Sequence, residues 1–197
     1  MQLPMPDSQL KSHTCGNLSP SDWVMRWSRL LAPGVRVLDF ASGGGRNLPP
    51  LIARGARITA SDRDAAALAS LAQFAPQVRC IQTDLENASW PFEAASFDAV
   101  VCCNFLHRPR LDLLCALLAP GGVLIYETFA RGNEHYGKPS NPAFLLASGE
   151  LFTIANRCGL SVLAYEHGFA GAGKKAMVQR VCAVRPPFDA EHYALVG

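Results

Sequence analysis

Apolar residues recur along this chain in two alternating patterns, short continuous runs and stripes at helical spacing. Runs at residues 35–40, 57–61, 78–82, 97–102, 123–129, 160–166 and 177–184 have the length and composition of strands. Between them, one-sided stripes predict helices: Trp23, Trp27, Leu30 and Leu31; residues 48–53; Leu68, Leu71 and Ala72; Leu111, Leu114, Cys115 and Leu118; Leu151, Ile154, Ala155 and Cys158. Punctuation agrees with most of these ends. Ser19 reads as a cap with Pro20 in the first turn, Pro33-Gly34 as a stop, and Asp64 as the cap of the third helix, which Pro76 closes. Pro120-Gly121-Gly122 ends the fourth helix and Gly159 the fifth. Pro49-Pro50 conflicts with its helix, since proline is tolerated only in a first turn. Strands alternating with helices demand a parallel sheet covered on both faces. The last two runs are joined by a glycine-rich loop alone, so they pair antiparallel. Residues 1–18 show little periodicity and read as a loose arm; no repeat or second domain is visible.

The stretch Val35-Arg36-Val37-Leu38-Asp39-Phe40-Ala41-Ser42-Gly43-Gly44-Gly45-Arg46-Asn47 combines a buried strand, a carboxylate and a turn that only glycine makes easily. A helix beginning just beyond it would aim free N–H groups at a ligand. Ligands of open α/β sheets lie beyond the carboxyl ends of the strands. Three successive predicted strands end at Asp39, Asp62 and Asp84, a set suited to ribose hydroxyls, amines and positive charge. The alternative is that each caps the following helix. A dinucleotide fingerprint counted from Gly43 would need glycine at Leu48, and its second half is missing. Gly168-Phe169-Ala170-Gly171-Ala172-Gly173-Lys174-Lys175 imitates a phosphate loop, yet lacks Ser/Thr and is followed by a strand-like segment; it reads as a hairpin loop with solvated lysines.

Composition narrows the classes further. A net charge of +2 gives no basic field for nucleic acid, and no apolar stretch approaches the roughly 18 residues that span a bilayer. The amino-terminal residues have neither the charged nor the apolar region of a signal peptide. The seven cysteines are odd in number without Cys-x-x-Cys spacing, and all but Cys15 of the arm fall in apolar runs as reduced core residues, so no metal and a cytoplasmic location are expected.

Val37-Leu38-Asp39-x-Ala41-x-Gly43-x-Gly45, Asp62, Asp84-Leu85, Phe97-Asp98-Ala99-Val100 and Leu118-x-Pro120-Gly121-Gly122 together resemble the class I S-adenosylmethionine-dependent methyltransferases. The likeness covers roughly residues 20–185 and is nearest to small stand-alone bacterial members of the tellurite-resistance and quinone-biosynthesis types. Ala41 departs from the family, which usually has glycine there. The resemblance implies a Rossmann-like, doubly wound, mostly parallel seven-stranded sheet with an antiparallel last strand, in a domain over 19–197. It implies S-adenosylmethionine as cofactor. Asp62 would accept from the ribose hydroxyls, Asp84 and the Leu85 N–H would meet the adenine, and Gly43 and Gly45 would approach the methionine part. Asp39 would favour its ammonium, with Ala41 in the same turn, and Asn104 and Phe105 would lie beside the sulfonium and the acceptor.

Methyl transfer needs alignment above all, and a general base only if the acceptor must lose a proton. His107 and Tyr136 are the catalytic candidates, with His135 and Glu127 also in reach of the role. Glu127, Phe129 and Asn133 are expected at the acceptor, in the long loop over 130–146 or at the strand end before it, with the arm (His13, Cys15, Asn17) as a lid. The sequence Asn104-Phe105-Leu106-His107 is not the Asn-Pro-Pro-aromatic pattern of base or glutamine methylation, and no proline precedes Cys102-Cys103. A small-molecule acceptor follows, with no nucleic-acid or membrane partner, in a monomer or homodimer. The alternatives are a binding or regulatory protein that keeps the cofactor fold, and a nicotinamide-dependent oxidoreductase.

Overall fold

A computed structural model describes residues 19–171 and 175–193. The arm over 1–18 and Lys174 of the glycine-rich loop lie outside the described residues. The strands are β1 (Arg36–Phe40), β2 (Arg57–Asp62), β3 (Val78–Gln82), β4 (Phe97–Cys103), β5 (Leu118–Phe129), β6 (Ser161–Ala170) and β7 (Ala176–Val184). They form one sheet in the order β3-β2-β1-β4-β5-β7-β6. β1 to β5 run parallel, and β7 is antiparallel to both β5 and β6.

Helices α1 (Asp22–Trp27), α2 (Leu48–Ala53) and α3 (Ala65–Ala69) cover one face, burying Trp23, Trp27, Leu48, Leu51 and Leu68 against Val37, Val101 and Ile125. Helices α4 (Leu111–Ala116) and α5 (Glu150–Arg157) cover the other, packing Leu114, Leu151 and Ile154 against Leu38, Val100, Leu124 and Val181. Successive strand residues point to opposite faces, which is why near-continuous apolar runs are needed. The helices change face between β1 and β4, and that switch leaves a crevice at the carboxyl ends of these two strands.

The structure corrects some boundaries. Ser21, not Ser19, caps α1: its Oγ accepts from the Trp23 and Val24 N–H groups. Leu118 belongs to β5 rather than α4, so Pro120-Gly121-Gly122 lies within an irregular strand start, where the pairing with β4 shifts between Phe97 and Ala99. The proline pair sits at the second and third positions of α2, which begins at Leu48, so the first turn accommodates it without losing an interior hydrogen bond.

Candidate active site

The three expected carboxylates lie side by side at one end of the sheet. Asp62 closes β2, and its Oδ2 accepts from the Gly43 N–H at 2.8 Å while Oδ1 accepts from the Asp64 N–H at 3.0 Å. It therefore ties the glycine turn to the second strand and keeps lone pairs to offer, since a carboxylate accepts about four hydrogen bonds. Asp84 organises its own turn, accepting at Oδ1 from the Glu86 and Asn87 N–H groups at 2.9 and 3.2 Å and at Oδ2 from Asn87 Nδ2 at 3.2 Å. These donors hold its pKa below the ordinary carboxylate value. Arg110 donates to the Leu85 and Ala88 carbonyls at 3.2 and 2.8 Å, pinning the same turn from below.

A cavity of about 280 Å³ opens between these groups, lined by Ala41, Asp62, Arg63, Asp84, Leu85, Glu86, Asn104 and Phe105. Six of the nine expected cofactor residues thus meet in one place, and Arg63 and Glu86 join them unannounced. Ala41 and Asn104 take left-handed conformations (φ 56° and 57°) where β1 and β4 turn into the crevice. Phe105 stacks edge-on against Phe40, 5.4 Å between centroids, extending an aromatic wall that includes Trp90 and Phe92. A larger hollow, about 630 Å³, lies near the opposite strand ends by Arg36, Arg57, Arg79 and Phe97. Ligands of such sheets sit beyond the carboxyl ends, so the smaller cavity is the candidate site.

Below the glycine turn Asp39 is 1% exposed, and its Oδ2 has no hydrogen-bond partner among the described residues. Burial, helped by the charge of Asp62 and opposed by Arg46, pushes its pKa up to about 7. The hydroxyls of Ser42 and Ser61 are likewise buried and unpartnered. The two expected glycines differ. A Cβ on Gly43 (φ +50°) would enter open space above the turn, whereas one on Gly45 (φ +73°) would come within 2.6 Å of Leu48 and Leu71 side chains. The absence of a Cβ at Gly45 lets Leu48 and Leu71 pack against the turn. Gly45→Ala should destabilise the protein by about 2 kcal/mol through overpacking and backbone strain; an unchanged denaturation midpoint would count against this role.

The acceptor candidates are not brought together. Glu127 is 7% exposed and accepts from Ser21 Oγ at 3.0 Å and Arg180 Nε at 2.5 Å. Asn133 is 1% exposed; its Oδ1 accepts from the Met177 N–H at 3.2 Å and its Nδ2 donates to the Pro139 carbonyl at 2.9 Å. These hydrogen bonds hold the loop and the strand ends in place. Tyr136 is exposed and stacks on Phe169 of β6 at 4.9 Å. That is four strands from β1, on the order of 19 Å at about 4.8 Å per strand. Phe129 is buried with Leu145, Ala176 and Val178. His107 is half-buried in the turn after β4, beside the crevice. The next residue, Arg108, was missed: its guanidinium meets Glu150 in a bidentate pair at 2.5 and 2.9 Å and donates to the Ala143 and Leu145 carbonyls. This clamp fastens the loop after β5 to the turn carrying His107. An arginine in a loop offers no sequence signal of such a partner 42 residues away.

The switch-point crevice, three strand-end carboxylates and an open glycine turn define a doubly wound enzyme that holds a nucleoside-bearing cofactor. The methyltransferase domain family matches residues 37–122. The ubiquinone biosynthesis O-methyltransferase of Xanthomonas campestris pv. campestris is 30% identical, over 81% of this chain and 80% of that protein. Among solved structures, TehB from Haemophilus influenzae superposes with a TM-score of 0.67 at 19% identity, over 82% of this chain and 61% of that longer one. The 1,6-didemethyltoxoflavin-N1-methyltransferase of Burkholderia thailandensis gives 0.62 at 19% identity, over 83% of this chain and 79% of that one. This chain belongs to the class I S-adenosylmethionine-dependent methyltransferases, and S-adenosylmethionine is its cofactor. The residues present fit that ligand: Asp62 and Asp84 present carboxylates to the cavity, and the space above Gly43 is open.

Proposed function

We propose that this enzyme methylates a hydroxyl oxygen of a small aromatic acceptor. What supports the reading is the crevice at the end of β4, where Asn104 and Phe105 line the cofactor cavity with an aromatic wall behind them and His107 follows in the same turn. The O-methyltransferase name of the relative aligned over four-fifths of its length points the same way. S-adenosylmethionine supplies an electrophilic methyl group on a sulfonium. The chain's own part is to bind and align: Asp62 holds the ribose, Asp84 and the Leu85 N–H the adenine, and Asp39 the ammonium. Ala41 and Gly43 form the turn beneath the methionine portion. A phenolic hydroxyl must lose its proton as it attacks, and His107 is the base we assign. Among the described residues no helix is long and apolar enough to cross a membrane. The six described cysteines are free thiols, which suits a cytoplasmic enzyme acting as a monomer or homodimer without nucleic acid.

The test is S-adenosylhomocysteine release across a panel of small phenols, amines and carboxylates. Phenols should stimulate release, and His107→Gln should lower kcat with cofactor affinity unchanged. Turnover confined to amines or carboxylates, or cofactor binding with no turnover on any, would sink the proposal. Asp62→Asn should weaken S-adenosylmethionine binding at least tenfold, because a charged hydrogen-bond partner is worth about 1.5–3 kcal/mol. Asparagine keeps one oxygen for the turn, so the fold should persist; equal affinity in calorimetry would remove Asp62 from the site.

A further inference from the structure

At the carboxyl-terminal ends of α4 and α5 two cysteines meet between helices. Cys115 lies in α4, 2% exposed, and Cys158 follows the last residue of α5, partly exposed. Cys158 packs against the buried cluster that contains Cys115, and its thiol donates to Asp112 Oδ1 at 3.5 Å. Asp112 and Cys115 are one turn apart on α4, so the same helix face presents a carboxylate and a thiol to one sulfur. Arg157 Nη2 reaches that Asp112 oxygen at 2.5 Å, which places a cation beside the group. The other described cysteines offer no comparable arrangement: Cys102, Cys103 and Cys182 are buried, and Cys80 is exposed with its thiol near the Leu68 carbonyl.

We propose that Cys158 and Cys115 are a peroxide-responsive thiol pair, Cys158 attacking and Cys115 resolving. The Cys158 thiolate attacks hydrogen peroxide, forming an S–O bond as the O–O bond breaks and hydroxide leaves. The Cys115 sulfur then attacks the resulting sulfenic acid; an S–S bond forms, the S–O bond breaks, and the Cys115 proton leaves with the oxygen as water. Overall two thiols are oxidised and one peroxide becomes two waters. Electrostatics assigns the order. Interaction with Cys115, with help from Arg157, lowers the Cys158 pKa against burial and the Asp112 carboxylate, while the same interaction and burial raise that of Cys115. Partial exposure gives peroxide access to Cys158 alone. The product would bolt the far ends of α4 and α5, whose near ends the Arg108–Glu150 clamp already joins.

The full-length protein, treated with roughly equimolar hydrogen peroxide, should yield a Cys115–Cys158 cross-linked peptide in non-reducing mass mapping. Closing so long a loop should raise the melting temperature by about 5–10 °C, reversibly with dithiothreitol. Cys158→Ser should abolish the cross-link. Cys115→Ser should leave a sulfenic acid on Cys158 that dimedone traps. Oxidation of Cys80 or Cys15 with this pair left free overturns the proposal. So does singly oxidised Cys158 without cross-link in the wild-type protein.

Discussion

Replacing Asp39 by asparagine is expected to stabilise the ligand-free protein above pH 8 while weakening S-adenosylmethionine binding tenfold or more. The cause is the buried carboxyl, whose pKa rises from 3.8 to about 7. Between those values the folded protein keeps a proton that the unfolded chain releases. The stability this brings is complete below about pH 4 and is lost as pH rises through 7. A rise of that size corresponds to about 4 kcal/mol at most. Asparagine cannot ionise, so the two proteins should differ little at pH 3.5 and by several kcal/mol at pH 8.5 in urea unfolding. A difference independent of pH would refute the assignment. Binding should show the opposite sign. An ammonium beside Asp39 favours its ionised form, so wild-type affinity should fall as pH drops below 7, and the asparagine variant should lose that dependence.

Glu127→Ala should destabilise the fold by about 3 kcal/mol, the scale for stripping one partner from a buried ion pair. Cys103, Glu127, Arg180 and Glu166 are register neighbours across β4, β5, β7 and β6, and their side chains share the α1 face. Charge alternates along that row. Arg180 binds Glu127 at 2.5 Å and Glu166 at 3.2 Å, while Arg26 of α1 reaches Glu166 at 3.4 Å. Arg46, from the glycine turn, approaches Glu127 at 3.9 Å, and Ser21 caps α1 while donating to the same carboxylate. Ser21 also donates its N–H to Asn47 Oδ1 at 3.0 Å, linking the start of α1 to the residue before α2. Glu127 is therefore the junction of the first helix, the cofactor turn and the last strands. Equilibrium unfolding checks this: a loss under 0.5 kcal/mol would return Glu127 to the acceptor side.

The alternation of apolar runs and stripes was enough to read the α/β class, the strands and the antiparallel final pair, because strand and helix periodicities differ and a two-strand connection without a helix leaves no parallel choice. Asp39, Asp62 and Asp84 were legible for a related reason: strand ends fall where apolar runs stop, and in a parallel sheet those ends face one ligand crevice. Other site features depend on approach in space. Gly45 looked like its neighbour Gly43 until Leu48 and Leu71 were seen against it. Glu127 looked like a substrate contact because its partners, Ser21 and Arg180, lie 106 and 53 residues away in sequence. Arg108 and Arg110 showed no pattern at all, since long side chains reach carbonyls and carboxylates that only the finished loops bring near. Local periodicity and punctuation belong to the chain itself and are written in its sequence. Which buried charges face one another depends on strand order and register, and only the tertiary structure decides these.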